Sequence, residues 1–216
     1  MTRVLKKAGP GRSPVFDRRA ICEEAARIMI DHGISDYGFA KKKAAQRLGI
    51  STRQSEMPSN RELTDAVRVR LRLFDGDGSN DRYRARLERA AELMELLAEF
   101  RPRLVGPLLE GIATQHGVVE LHLFCDAPEH VLARLQEMNL DHQPFDKRVR
   151  FTADHYEQIP GFAFEWENSP FDILVFKYQG IRQAPVCPVD GRPMRRASAD
   201  RVLEMRRGLD PDTADR

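Results

Sequence analysis

The sequence predicts an α+β protein, with a helical N-terminal region packed on a small mixed β-sheet domain, and three observations carry that reading. Residues 13–100 hold about four successive apolar patterns of helical period. After Arg101 the period shortens to alternating runs suited to strands. The stretch from Leu104 to Phe124 reads as strand, glycine turn, short helical or looped excursion, and a second strand with a carboxylate projecting from it.

Taken in order, residues 1–12, with Gly9, Pro10 and Gly11, read as a flexible tail. Ser13-Pro14 opens a helix, with Ser as N-cap and Pro at the first helical position. Phe16, Ala20, Ile21, Ala25, Ile28 and Met29 keep helical spacing until Gly33. Asp36 starts a second helix that runs to about Leu48, with Gly49 as its stop. Ser59-Asn60-Arg61-Glu62 is a capping box, in which the Ser side chain accepts from a backbone N–H and the Glu reaches back. The following Arg68-Val-Arg-Leu-Arg-Leu-Phe74 alternates like a strand. On a wheel, however, Leu63, Ala66, Val67, Leu71, Leu73 and Phe74 make one stripe, so the cap and the stripe favour a helix. A fourth helix is expected from about Asp81 to Phe100, with Tyr83, Leu87, Ala90, Ala91, Met94, Leu97 and Ala98 on one face.

Leu104-Val105 then forms a short strand before Gly106, and Val119 to Cys125 forms another. Leu121 and Leu123 take one face of it, and Glu120, His122 and Phe124 the other. Asp126-Ala-Pro-Glu129 caps a helix to about Asn139. Strands are expected near 147–153, 162–167 and 171–177, with a turn at Asn168-Ser169-Pro170. Residues 181–216 hold a turn at Asp190-Gly191 and a short basic helix from about Ser198 to Arg207. The domain reading is therefore a tail at 1–12, a helical domain at 13–100, a sheet domain at 101–180 and a C-terminal piece at 181–216.

Composition narrows the function classes. Charged residues make up 31% of the 216, yet the formal net charge is only +2, so overall charge gives no strong drive toward nucleic acid. No apolar run approaches the roughly 20 residues of a membrane span. Met1 to Pro10 has Lys6 and Lys7 without an apolar stretch after them, unlike a signal peptide. Cys22, Cys125 and Cys187 are odd in number and far apart, which fits reduced thiols and a cytoplasmic location.

Residues 101–180 resemble the nucleotidyltransferase superfamily, whose pattern is a strand, Gly-Ser, and then Asp-x-Asp or Asp-x-Glu on the next strand, with a third carboxylate from a later one. More closely, nearly the whole chain resembles a group of poorly characterised proteobacterial proteins with that fold. The resemblance lies in Asp36-Tyr37, Ala40-Lys-Lys-Lys-Ala-Ala-Gln-Arg-Leu-Gly49, Pro58-Ser59-Asn60, Gly106-Pro107 with Gly111, Leu121-His-Leu-Phe124 and Pro188-Val-Asp-Gly-Arg-Pro-Met194. It implies transfer of a nucleoside monophosphate, with Mg2+ as cofactor, because hard oxygen ligands must converge where the triphosphate is neutralised. A strand supplies such ligands at i and i+2, which share a face.

Carried over residue by residue, Gly106, Gly111 and Thr114 are the implied phosphate-binding positions, and Glu120 and Asp172 the catalytic and metal-binding acids. The pattern is depleted at two points. Pro107 stands where a phosphate-binding serine is usual, and it has neither a hydroxyl nor an N–H. Val118 falls on the first Asp position, where it cannot ligate metal. Glu110, Asp126 and His122 are the side chains that could substitute if the loop folds back.

Three further signals compete. Ala44-Ala-Gln-Arg-Leu-Gly-Ile-Ser51 looks like the front half of a helix-turn-helix, but Met57-Pro58 stops the chain too soon for a recognition helix, which argues against sequence-specific DNA reading. Lys41, Lys42 and Lys43 read first as the solvated face of a helix. Asp75-Gly-Asp-Gly-Ser-Asn-Asp81 misplaces the glycines of a calcium loop and reads as a flexible helix–helix turn. The expected function is a nucleotidyltransferase-like protein with little or no turnover, acting in binding or regulation with a nucleoside triphosphate or RNA as partner. The alternatives are an active metal-dependent transferase using Glu120 and Asp172, and a helical region that self-associates or docks a partner.

Overall fold

A computed structural model of the chain describes residues 14–50, 57–74 and 76–209. The tail expected at 1–12, the Ser13 cap and Ser51 lie outside them. Among the described residues the protein is α+β, with seven α-helices and one five-stranded mixed sheet. None of the helices among the described residues is long and apolar enough to cross a membrane.

Two compact units divide the chain between Arg70 and Leu71. The first contains α1 (Pro14–His32), α2 (Tyr37–Leu48) and the front of α3 (Asn60–Phe74). Asp36 caps α2 by accepting from the Phe39 N–H at 2.8 Å, and Gly49 ends it with φ +65°. The capping box forms as expected: Glu62 N–H donates to Ser59 Oγ at 3.2 Å, and Ser59 N–H donates to Glu62 Oε2 at 2.8 Å. Arg18 also grips Glu62 with two hydrogen bonds, at 3.1 and 2.6 Å. Those bonds hold the Glu62 carboxyl down at about 2. Ile21, Ala25, Ile28, Ala40, Ala44, Leu63 and Val67 are the buried apolar residues of the stripes. Leu73 and Phe74, expected on the buried stripe of α3, are instead 72% and 75% exposed.

Lys41 does not lie on a solvated face. Its ammonium donates to the Pro58 carbonyl at 2.9 Å and to Asn60 Oδ1 at 2.8 Å, so it ties α2 to the start of α3.

The second unit holds α4 (Gly76–Leu96), α5 (Gly106–Leu109), α6 (Pro128–Glu137), α7 (Ala199–Arg207) and the sheet. Its division from the first falls well before residue 100, because α4 belongs to the sheet's own core: Leu87, Leu93, Met94 and Leu97 are buried with Leu121, Leu123, Phe171, Ile173 and Val175. The α4 helix also begins earlier than expected, so residues 76–80 are its first turn rather than a connecting loop. The first turn of a helix has no i−4 partners to satisfy, so residues of low interior propensity are accommodated there. A 3-10 turn at Ala98–Phe100 follows, and Arg101 leaves it at φ +49°.

The strands are β1 (Arg103–Val105), β2 (Val119–Phe124), β3 (His142–Arg150), β4 (Tyr156–Trp166) and β5 (Ser169–Phe176), in the spatial order β1-β2-β5-β4-β3. Only β2 and β5 pair in parallel; the other neighbours are antiparallel. Both β3 and β4 start several residues before their expected positions. Pro144 fits in β3 because β3 is an edge strand, where a missing N–H costs little. Pro160-Gly161 does not break β4. A Cβ on Gly161 would stand 2.6 Å from the Ile173 carbonyl oxygen and 2.7 Å from the Phe145 ring, so glycine allows close strand approach there. The β4–β5 turn is Glu167-Asn168, at φ +49° and +59°, one step earlier than Asn168-Ser169-Pro170. Two central residues with positive φ suit the twist of a tight hairpin. Asp126 does not cap α6; its Oδ1 accepts from the Tyr178 N–H at 3.0 Å, and Ala127 holds the cap position. Further along, Gly191 turns at φ +73° and α7 ends at Arg207, both as expected, with Ser198 as the cap of α7.

Candidate functional site

The pleat assigns the sheet's two faces. Leu121 and Leu123 of β2, with Phe171, Ile173 and Val175 of β5, point into the core shared with α4. Glu120, His122 and Phe124, with Asp172, Leu174 and Phe176, take the opposite face.

Parallel pairing sets Glu120 directly beside Asp172. The row continues to Val105 of β1 on one side and to Ala163 of β4 and Gln143 of β3 on the other. Gly106 bends away at the end of β1 with φ +74°, and a Cβ there would stand only 3.0 Å from Cδ and Oε1 of Glu120. The backbone bend thus lies against the Glu120 carboxyl, and its positive φ favours glycine. Burial first, and then repulsion from Glu120, raises the Asp172 carboxyl above its ordinary value, while Lys147 opposes the rise. The Lys147 ammonium, from edge strand β3, lies 3.5 Å from Glu120 Oε2.

The next row along the strands carries a cationic group. His122 is 3% exposed, packs on the Phe176 ring at 4.5 Å, and accepts from Arg196 Nε through Nδ1 at 3.1 Å. A guanidinium only donates, so His122 carries its proton on Nε2. Burial, then Arg196 and Lys147, keeps it neutral by pushing its pKa well below the ordinary value. Arg196 stacks over Phe124 and Phe176 at 5.0 and 5.1 Å and donates to the Gly180 carbonyl at 2.8 Å. Its Nη2 is buried without a hydrogen-bond partner. Burial and nearby Arg103 pull its pKa down to about 10.

Gly106, Glu120 and Asp172 are therefore brought together. Gly111 and Thr114 sit in the α5–β2 connection, whose ties run to α4: Arg86 donates to the carbonyls of Thr114 at 2.6 Å and Gln115 at 2.9 Å. The side chains able to substitute for the missing acid are engaged elsewhere. Glu110 takes Arg195 at 3.1 Å, Asp126 takes the Tyr178 N–H, and His122 takes Arg196. Lys147 and Arg196 escape sequence reading, because nothing in their local patterns says which strand they will face.

A resident Mg2+ fits this donor set poorly. The ion seeks about six oxygens in octahedral array, and Glu120 and Asp172 are two side chains, one already touched by an ammonium. Among the described residues, no group of three or more His, Cys, Asp or Glu is placed to hold a metal ion. All three cysteines are free thiols. A groove of about 580 Å3 lies elsewhere, between α4, the approach to β1 and α7, with Met94, Arg103, Leu203 and Arg206 among its walls. None of Gly106, Glu120 or Asp172 lines it, so it is separate from the acid face.

Comparison of the chain with protein-family models gives no match, and comparison with curated proteins gives none either.

Proposed function

We propose that the sheet unit is nucleotidyltransferase-like and binds the phosphates of a nucleoside triphosphate on the Glu120–Asp172 face, with little or no nucleotidyl transfer. The single observation supporting it most is the in-register pair of half-buried acids beside the Gly106 bend. Such a pair costs stability through burial and mutual repulsion, and costs of that kind concentrate at functional sites. Three features weigh against turnover. Pro107 offers no N–H or hydroxyl to a phosphate, Val118 offers no ligand, and the acids lack a third partner.

Isothermal titration of the full-length protein with ATP, GTP and short RNAs, each with and without Mg2+, tests the reading. Binding of a triphosphate that is weakened by Glu120→Gln supports it. RNA binding in place of triphosphate moves the ligand class to polynucleotides, and heat signals absent for every ligand end the reading. Incubation with labelled triphosphates addresses turnover: label transfer that disappears in Glu120→Ala would replace this reading with that of a working transferase.

A further inference from the structure

We propose that the 3-10 turn at Tyr178–Ile181, with the cations gathered around it, binds single-stranded nucleic acid through its phosphates and one stacked base. The inference stands apart from the triphosphate reading, since it uses none of Gly106, Glu120 or Asp172.

Elsewhere in the chain, arginines are matched by acids one helical turn away. Arg27 meets Glu24 at 2.7 Å, while Arg89 meets Glu92 and Arg201 meets Glu204 at 2.8 Å. The cations around the turn that follows β5 are not matched in this way. Lys177 and Arg182 flank the turn and are exposed. Arg101 lies over the Tyr178 ring, 4.8 Å from its centroid. Arg196 donates to the Gly180 carbonyl at 2.8 Å and to His122, and Arg103 stands opposite His122 on the neighbouring strand. Among the described residues, none of these five cations forms an ion pair with a carboxylate. Two acids come close in the chain or in space. Asp126 accepts from the Tyr178 N–H, and Glu99 faces Arg134. Five cations less two acids leave +3 around one turn, against +2 for the whole chain.

The aromatic ring supplies what charge alone does not. Tyr178 is 42% exposed, although the turn is tied down at both ends by Asp126 and Arg196. Arg101 also holds φ +49°, a conformation that glycine or asparagine adopts at lower cost. A turn alone does not call for arginine at that position, whereas a guanidinium laid on an exposed tyrosine does. Cations that track phosphates beside a ring that stacks a base are the equipment of sequence-tolerant single-strand binding. A duplex keeps its bases stacked on one another, and a four-residue turn is no helix to enter its groove. The competing account is a basic surface that serves solubility alone.

Fluorescence anisotropy of the full-length protein with a labelled oligouridylate of about a dozen nucleotides separates the two accounts, with a duplex RNA and heparin as competitors. The oligouridylate should bind at low salt. The logarithm of its association constant should fall with the logarithm of salt at a slope of about −2 to −3, roughly −0.7 for each of three or four phosphates. Arg182→Gln should bring that slope about 0.7 nearer zero. Tyr178→Ala should weaken binding roughly five- to a hundredfold, the range for one stacked base, and Tyr178→Phe should retain it. Both positions are exposed, so these variants should melt as wild type does. No binding of the oligouridylate at low salt overturns the inference, as does Tyr178→Ala binding it as wild type does. Heparin or duplex bound more tightly than the single strand also overturns it, by assigning the patch to charge alone. Glu120→Gln should leave oligouridylate binding unchanged; a loss there places the strand on the acid face and overturns this inference. Silence for triphosphates with oligouridylate still bound ends the triphosphate reading and leaves this one standing.

Discussion

Leu121, Leu123, Ile173 and Val175 on one face of β2 and β5 are at most 3% exposed and belong to the apolar core. Glu120, His122 and Asp172 are interleaved with them on the same two strands, yet face a carboxyl pushed up, an imidazole held neutral, a lysine and a guanidinium with a nitrogen lacking an acceptor. Each buried aliphatic side chain of the first face contributes about 1.5–3 kcal/mol through removal from water. Each buried polar group of the second face carries a desolvation cost that its partners offset only in part. The pleat therefore gathers the titratable side chains of β2 and β5 on the second face, where they lie beside a smaller apolar cluster of Phe124, Ile159, Leu174 and Phe176. What the difference teaches is where to look: polar side chains that cost a fold free energy, set among apolar ones that do not, mark the positions available to a ligand.

Truncation on the apolar face should have the largest effect. Leu121→Ala, at a site with no exposure, is expected to cost about 2–5 kcal/mol in denaturant unfolding, with an unchanged dependence on denaturant. A loss below about 1 kcal/mol would break the comparison, since the covered face would then not be what holds the sheet unit together.

Gly106→Ala probes the junction of the two faces and should rank second. The alanine must hold a positive φ, which costs roughly 1–2 kcal/mol, and its Cβ meets the Glu120 carboxyl at 3.0 Å. Displacing that carboxyl should weaken phosphate binding beyond what the lost stability explains. Calorimetry well below the melting temperature checks it. Ligand affinity equal to wild type would detach Gly106 from the site and leave it a turn residue only.

The legible parts of this molecule were those fixed by local chemistry. The capping box at Ser59–Glu62, the stop at Gly49 and the alternation of β2 depend on neighbours a few residues away, and all three form as their residues imply. The parallel pairing of Glu120 with Asp172 joins residues far apart in the chain, and composition or period alone does not announce it. The resemblance to nucleotidyltransferases supplied the expectation that the two acids converge, and β2 and β5 set them side by side. What stayed hidden was decided at long range or on an edge. The expected strands near 147–153 and 162–167 start too late, because the outer position of β3 accommodates Pro144 and a close strand approach accommodates Gly161. Leu73 and Phe74 fit a helical stripe whose end is exposed, and Lys41 is drawn from a lysine run into two hydrogen bonds by residues 17 and 19 positions away. Lys147 and Arg196 carry no local signal at all, because their roles exist only once β3 and the C-terminal loop are folded over β2.

The smallest effect expected has the opposite sign, and it sharpens the comparison most. Asp172 is protonated more readily in the folded chain than in the unfolded one, since burial and Glu120 both oppose its charge. Between its ordinary value of 3.8 and the raised one, the folded state therefore binds more protons than the unfolded state. Stability attributable to this group is highest below that window, falls as pH rises through it, and stays reduced above. Asp172→Asn removes the charge while keeping the shape, so it should melt above wild type at pH 7, and the gain should vanish below about pH 4, where the wild-type carboxyl is neutral as well. The same substitution should alter ligand binding, because Asp172 is one of the two acids set side by side on the proposed face. A polar-face variant that gains stability while its ligand binding changes is the reverse of Leu121→Ala. Should Asp172→Asn instead melt below wild type at pH 7, the acid pair would be stabilising the sheet, and both faces would then serve the fold alike.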